Sequence, residues 1–138
     1  MTVVEHSGDA EPIAVPLEFD LPAGWTEVPV GSGVVFAARR GSGPAAITMR
    51  AEHRPDPAPL PDIAGHAAGE HGSVEVVEHP VLGQVVWTTT PEVTFVHLAV
   101  AGGPDRVIVE VACASPGRSS EVAAEFERFV ASLRTGED

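Results

Sequence analysis

Three consecutive stretches decide how this chain folds: Arg106-Val-Ile-Val-Glu-Val-Ala-Cys-Ala114, the break Ser115-Pro-Gly-Arg-Ser-Ser120, and Glu121-Val-Ala-Ala-Glu-Phe-Glu-Arg-Phe-Val-Ala-Ser-Leu133. The first is an apolar run of strand length. The last carries Val122, Phe126, Phe129, Val130 and Leu133 at intervals of three and four, which is one stripe of an α-helix. Glu121, Glu125, Glu127, Arg128 and Arg134 are expected on its solvent side. A helix of this length is marginal alone in water, so its apolar stripe requires a sheet beneath it. The reading is an α+β domain whose last strand hands the chain to a closing helix.

Composition narrows the class. The 138 residues suit one domain with one core. Hydrophobic residues make up 43% of the chain, too many for a disordered protein, and no apolar run approaches membrane-spanning length. Twenty acidic residues against eight basic ones give a net charge of −12, and every basic residue is Arg. Such a surface repels phosphate backbones and anionic lipid, so neither nucleic acid nor a membrane is an expected partner. The absence of Lys removes Schiff-base chemistry and the P-loop lysine. The N-terminus lacks the basic and apolar regions of a secretory signal, and a cytoplasmic location is expected.

Working outward, residues 1–11 are acidic and unpatterned and read as a flexible arm, 12–134 as the domain, and 135–138 as a tail. Val15, Leu17, Phe19 and Leu21 alternate with polar residues, predicting a strand that Pro16 assigns to a sheet edge. Pro22-Ala-Gly24 predicts a turn, and a short strand follows over Trp25–Val28. Val34–Arg39 and Ala45–His53 read as a hairpin around Arg40-Gly-Ser-Gly-Pro44. Prolines at 55, 57, 59 and 61 predict an extended, polyproline-like connector. Pro61 then opens a helix expected to run to His71 and stop at Gly72, with Gly65 and Gly69 explained by close packing on the sheet. Four strands follow, Ser73–His79, Gln84–Thr90, Val93–Ala101 and Arg106–Ala114, joined by short turns and therefore antiparallel. The last two are apolar on both faces, as covered central strands are.

Candidate chemistry is sparse. His66 and His71 lie five apart, the wrong spacing for a helical zinc pair, and no metal site or cofactor is expected. Ser119 and Ser120 read as helix caps rather than nucleophiles. Cys113 reads as a buried thiol; a dyad with His97 depends on the two side chains sharing a face. His97, among Phe95, Val96 and Leu98, reads as a hydrogen-bonded core or pocket histidine. Trp87 is a core anchor or a groove wall. Arg50 reads as a surface arginine opposite a cross-strand acid, or as the charge that meets an anionic ligand. Arg50, Trp87, Phe95 and His97 are the candidate binding residues, and no catalytic residue is assigned.

Phe19-Asp-Leu-Pro-Ala-Gly-Trp25, the strand pair after it, the mid-chain helix, and Val107-Ile-Val-Glu-Val-Ala-Cys-Ala-Ser-Pro116 with its Phe126…Phe129-Val-Ala-Ser-Leu133 helix together resemble the PsbP-like superfamily. That group includes PsbP, the Ran-binding protein Mog and actinobacterial LpqN-type proteins. The resemblance implies an α/β/α sandwich around an antiparallel sheet. It also implies a non-enzymatic binding or accessory role, with no catalytic motif to carry over. LpqN-type proteins have a lipobox cysteine near the N-terminus and this chain has none, so lipid anchoring is not carried over. The expected function is therefore a non-catalytic cytoplasmic protein that uses a sheet face or edge to hold a protein partner, as a secretion chaperone or adaptor does. The alternative is a small-molecule-binding or weakly enzymatic domain with a pocket near His97, Trp87 and Arg50. Self-association as a homodimer is left open.

Overall fold

A computed structural model describes residues 2–5, 14–30, 34–41, 43–53, 59–69, 72–90, 93–100, 106–114 and 120–135. In chain order the elements are β1 (Thr2–Glu5), β2 (Ala14–Glu18), β3 (Trp25–Glu27), β4 (Phe36–Arg40), β5 (Ala46–His53), α1 (Leu60–Ala68), β6 (Ser73–His79), β7 (Gly83–Thr89), β8 (Val93–Val100), β9 (Val107–Ala114), α2 (Ser120–Ala131) and β10 (Arg134–Thr135). Seven strands form one antiparallel sheet in the order β3-β4-β5-β9-β8-β7-β6. The chain lays down β3, β4 and β5 as neighbours. It then passes through α1 to β6 at the far edge and returns strand by strand until β9 closes against β5. The antiparallel α+β fold expected from the periodicity is present.

Strand alternation sorts the side chains onto two faces. Ile47, Met49, Val96, Leu98, Val109 and Val111 share one face and pack with Phe126, Phe129 and Val130 of α2. Val86 and Ile108 share the other and pack with Leu60 and Ala64 of α1. The two helices thus lie on opposite faces. The predicted stripe is buried throughout: Val122, Phe126, Phe129, Val130 and Leu133 are all at most 4% exposed. Phe19 lies tilted against Phe129 with centroids 5.1 Å apart and meets Phe36 edge-on at 4.8 Å, carrying the aromatic cluster from α2 into β4.

Several expectations change. Thr2–Glu5, placed in the arm by its sequence, pairs with residues 14–17 of β2. Pro16 does not put β2 at an edge, because β2 is the middle strand of a small sheet ordered β1-β2-β10. The proline is tolerated there because, among the described residues, β10 pairs with Leu17 and Glu18 and not with Pro16, whose ladder is with β1. Trp25 follows the predicted turn, closed by its N–H donating to the Pro22 carbonyl, with Gly24 at φ +92. An L side chain rarely adopts that conformation.

Helix α1 is shorter than predicted. It ends at Ala68 with Gly69 as its cap at φ +68, so Gly69 ends the helix instead of weakening it. Gly72, the expected stop, lies beyond the observed cap, and His71 lies outside the described residues. Of the proline connector, 54–58 also lie outside them, but Pro59 is extended at φ −63 and ψ 141. Gly65 is not explained by close packing, since a Cβ placed on it meets nothing within 4 Å. Gly65→Ala is therefore expected to stabilise the protein by about 0.5–1 kcal/mol in urea unfolding. A loss of stability would show that the helix needs the bare backbone.

Glu125, expected in solvent, is 8% exposed. Its Oε1 accepts hydrogen bonds from Trp25 Nε1 at 2.8 Å and from Arg40 Nε at 2.8 Å, while Arg40 Nη2 also donates to Glu121 at 2.6 Å. These bonds tie α2 to β3 and β4.

Candidate functional site

Of the four residues singled out by sequence, Trp87 does not share a face with the other three. Register pairs Val86 with His97 and Trp87 with Val96, which puts His97 and Trp87 on opposite faces. Arg50, Phe95 and His97 are on the α1 face; Trp87 is on the α2 face. The same alternation separates Cys113, on the α2 face opposite Ile47 and Thr94, from His97. A Cys113–His97 dyad is therefore ruled out by geometry.

On the α1 face, β5, β9 and β8 bring Arg50, Glu110 and His97 into one row across three strands. His97 is 2% exposed, and its Nε2–H donates to Glu110 Oε2 at 3.1 Å. That hydrogen bond, with the charges of His97 and Arg50 behind it, holds the Glu110 carboxyl below its ordinary 4.5 against the opposing effect of burial. Arg50 is exposed and faces a cross-strand acid, the plainer of its two sequence readings. Phe95 lies beside His97 with ring centroids 6.1 Å apart. His97 Nδ1 and Thr88 Oγ1 are buried with no hydrogen-bond partner among the described residues. His97 is hydrogen-bonded through one ring nitrogen, and His97→Gln is expected to change stability by less than about 2 kcal/mol, since an amide can remake the bond to Glu110. A larger loss in urea unfolding would mean the ring itself fills the site.

The α2 face holds a cleft of about 680 Å³ between the helix and the β6–β7 ribbon. Its floor is apolar, formed by Trp87, Cys113 and Val77, and one wall is Val122 and Phe126. Trp87 meets Phe126 edge-on at 5.7 Å. Thr89, Thr94 and Ser120 supply hydroxyls, and Glu75 and Glu127 are the charged groups among the described lining residues. Burial pushes the Cys113 thiol up to about 11, which favours the protonated, apolar form of this lining group at neutral pH. No three His, Cys, Asp or Glu side chains among the described residues are grouped as a metal ion would require.

Beside the cleft runs β6, seven residues long, whose described neighbour is β7 alone. Val74 is 42% exposed and Val76 49%, both on the α1 face, while Glu75 and Val77 turn to the cleft. The opposite edge strand, β3, has only three residues. At the C-terminal end of β6, His79 Nδ1 accepts the N–H groups of Val81 and Leu82 and its Nε2–H donates to the Val130 carbonyl at 2.9 Å. This fastens the β6–β7 turn to the last turn of α2.

Sequence reasoning missed Glu125, His79 and the acidic rim. The first had a signal: at about 100° per residue Glu125 lies about 60° from Val122, at the margin of the apolar stripe. His79 and the rim had none, because their partners come from elements roughly fifty residues away along the chain.

No protein-family model matches the chain, and no curated protein matches it. A solved structure from Bacteroides thetaiotaomicron is similar in fold, with a TM-score of 0.50 and 16% sequence identity. The match covers 89% of this chain and 46% of that one, so this chain spans less than half of its neighbour's length. At that identity the likeness concerns the fold alone. No helix among the described residues is long and apolar enough to cross a membrane.

Proposed function

We propose that this domain is a non-catalytic accessory protein of the cytoplasm that holds an extended segment of a protein partner along β6. A secretion chaperone or adaptor is the particular role we favour, and with it kinship to the PsbP-like superfamily, whose α/β/α layering is compatible with helices on both faces of the sheet. The observation that carries the proposal is the edge itself. A strand of seven residues whose neighbour among the described residues is β7 alone, with exposed Val74 and Val76, offers outward backbone donors and acceptors beside apolar side chains, the template for strand addition. The protonated Cys113 and its separation from His97 also favour binding over catalysis. The cleft favours a second reading, a small-molecule-binding or weakly enzymatic domain, because its volume lies within the range of ligand sites. In that reading Trp87 alone of the sequence-selected residues meets the ligand.

The experiment is affinity capture from the native cell with the wild-type chain and with Glu75→Pro and Val76→Pro. Successive amides of an edge strand alternate between its neighbour and solvent, so one of these prolines removes an outward donor and leaves the ladder intact. That folded variant is expected to lose the partner. Undiminished capture by both variants would contradict strand addition.

A further inference from the structure

We infer that the segment received by β6 alternates basic and branched aliphatic residues, and that the cleft under α2 takes its arginine or lysine side chains. The inference rests on strand addition to β6 and extends it to the chemistry of the partner. Residues of an added strand point alternately to the two faces of the sheet. Those on the α1 face lie beside Val74 and Val76, where aliphatic side chains continue the exposed apolar strip. Those on the α2 face lie beside Glu75 and reach the cleft, whose described charged lining residues, Glu75 and Glu127, are both acidic. Trp87 on the floor offers an aromatic face along which an arginine or lysine stem can lie while its charged head meets the carboxylates. The chain's net charge of −12 attracts such a segment over a longer range. A second copy of this chain fits the edge less well, because it brings the same net charge and its own Glu75 and Glu78 to the contact.

The test uses a fluorescein-labelled peptide alternating Val and Arg, matched to the seven residues of β6, with the full chain. Its comparisons are the same peptide with each Arg replaced by neutral citrulline, and the Arg peptide with N-methylated backbone amides. The citrulline peptide is expected to bind about ten-fold more weakly at low salt, a gap that closes near about 0.5 M salt. In the double variant Glu75→Gln, Glu127→Gln the gap should narrow to about two-fold. The Arg peptide should also shift tryptophan emission in the wild type and not in Trp87→Phe. Equal, tight binding of the Arg and citrulline peptides would overturn the basic-side-chain assignment and leave strand addition standing. Equal binding of the N-methylated peptide, or sedimentation showing a dimer that excludes the peptides, would overturn strand addition and this inference with it.

Discussion

Phe129→Ala is expected to lower stability by about 3–5 kcal/mol, a large part of what a domain of this size possesses. Phe129 is fully buried and sits at the junction of three other rings: Phe19 at 5.1 Å, Phe36 at 6.3 Å and Phe126 at 6.4 Å. Those rings come from the segment after β2, from β4 and from α2 itself, so no single element can relax into the void. Phe126→Ala should fall toward the lower end of the same range. Phe126 borders the cleft, and part of the space it leaves joins a volume that already exists. Urea unfolding of both variants provides the check; a loss below about 1 kcal/mol for Phe129→Ala would mean that α2 does not close the core.

The second large effect belongs to Glu125. Replacing it by Ala leaves the buried Trp25 indole N–H without an acceptor, for an expected loss of about 1–3 kcal/mol at neutral pH. Arg40 loses a partner as well, but it is solvated and adds little. The hydrogen bonds from Arg40 and then Trp25 hold the Glu125 carboxyl below its ordinary 4.5. A depressed carboxyl stabilises the fold fully above its unfolded value, and that contribution is lost as pH falls through the folded one. The gap between wild type and Glu125→Ala should therefore be widest near neutrality and shrink below about pH 4.5. A gap independent of pH would assign the loss to packing.

Much of the fold was legible from side-chain period. The strands from Ser73 to Ala114 and the stripe Val122, Phe126, Phe129, Val130 and Leu133 were read correctly because burial on one face or both imposes a local pattern. Pro16 and Gly69 misled for the same reason: each was judged by what it does inside a regular element. Among the described residues Pro16 has its ladder with β1 alone, and Gly69 lies just past the helix.

The candidate site was less legible because it depends on register. A shift of one residue between β7 and β8 would put Trp87 and His97 on the same face. Adjacent residues in a strand carry no mark of which face is which when both faces are apolar. The cleft is a property of how far α2 stands from the β6–β7 ribbon, and no local pattern encodes that separation. The row of Arg50, Glu110 and His97 was half visible, since the alternation in β5 predicted a cross-strand acid for Arg50 without naming it.

Amide hydrogen exchange of the full chain, with and without the Val/Arg peptide, tests the central claim most directly. If a partner segment adds to β6, slowed exchange on loading will appear between Val74 and Val77, at amides facing away from β7, while Trp25–Glu27 at the opposite edge exchange as before. Slowing at Trp25–Glu27, or at neither edge while the peptide is bound, would contradict the account.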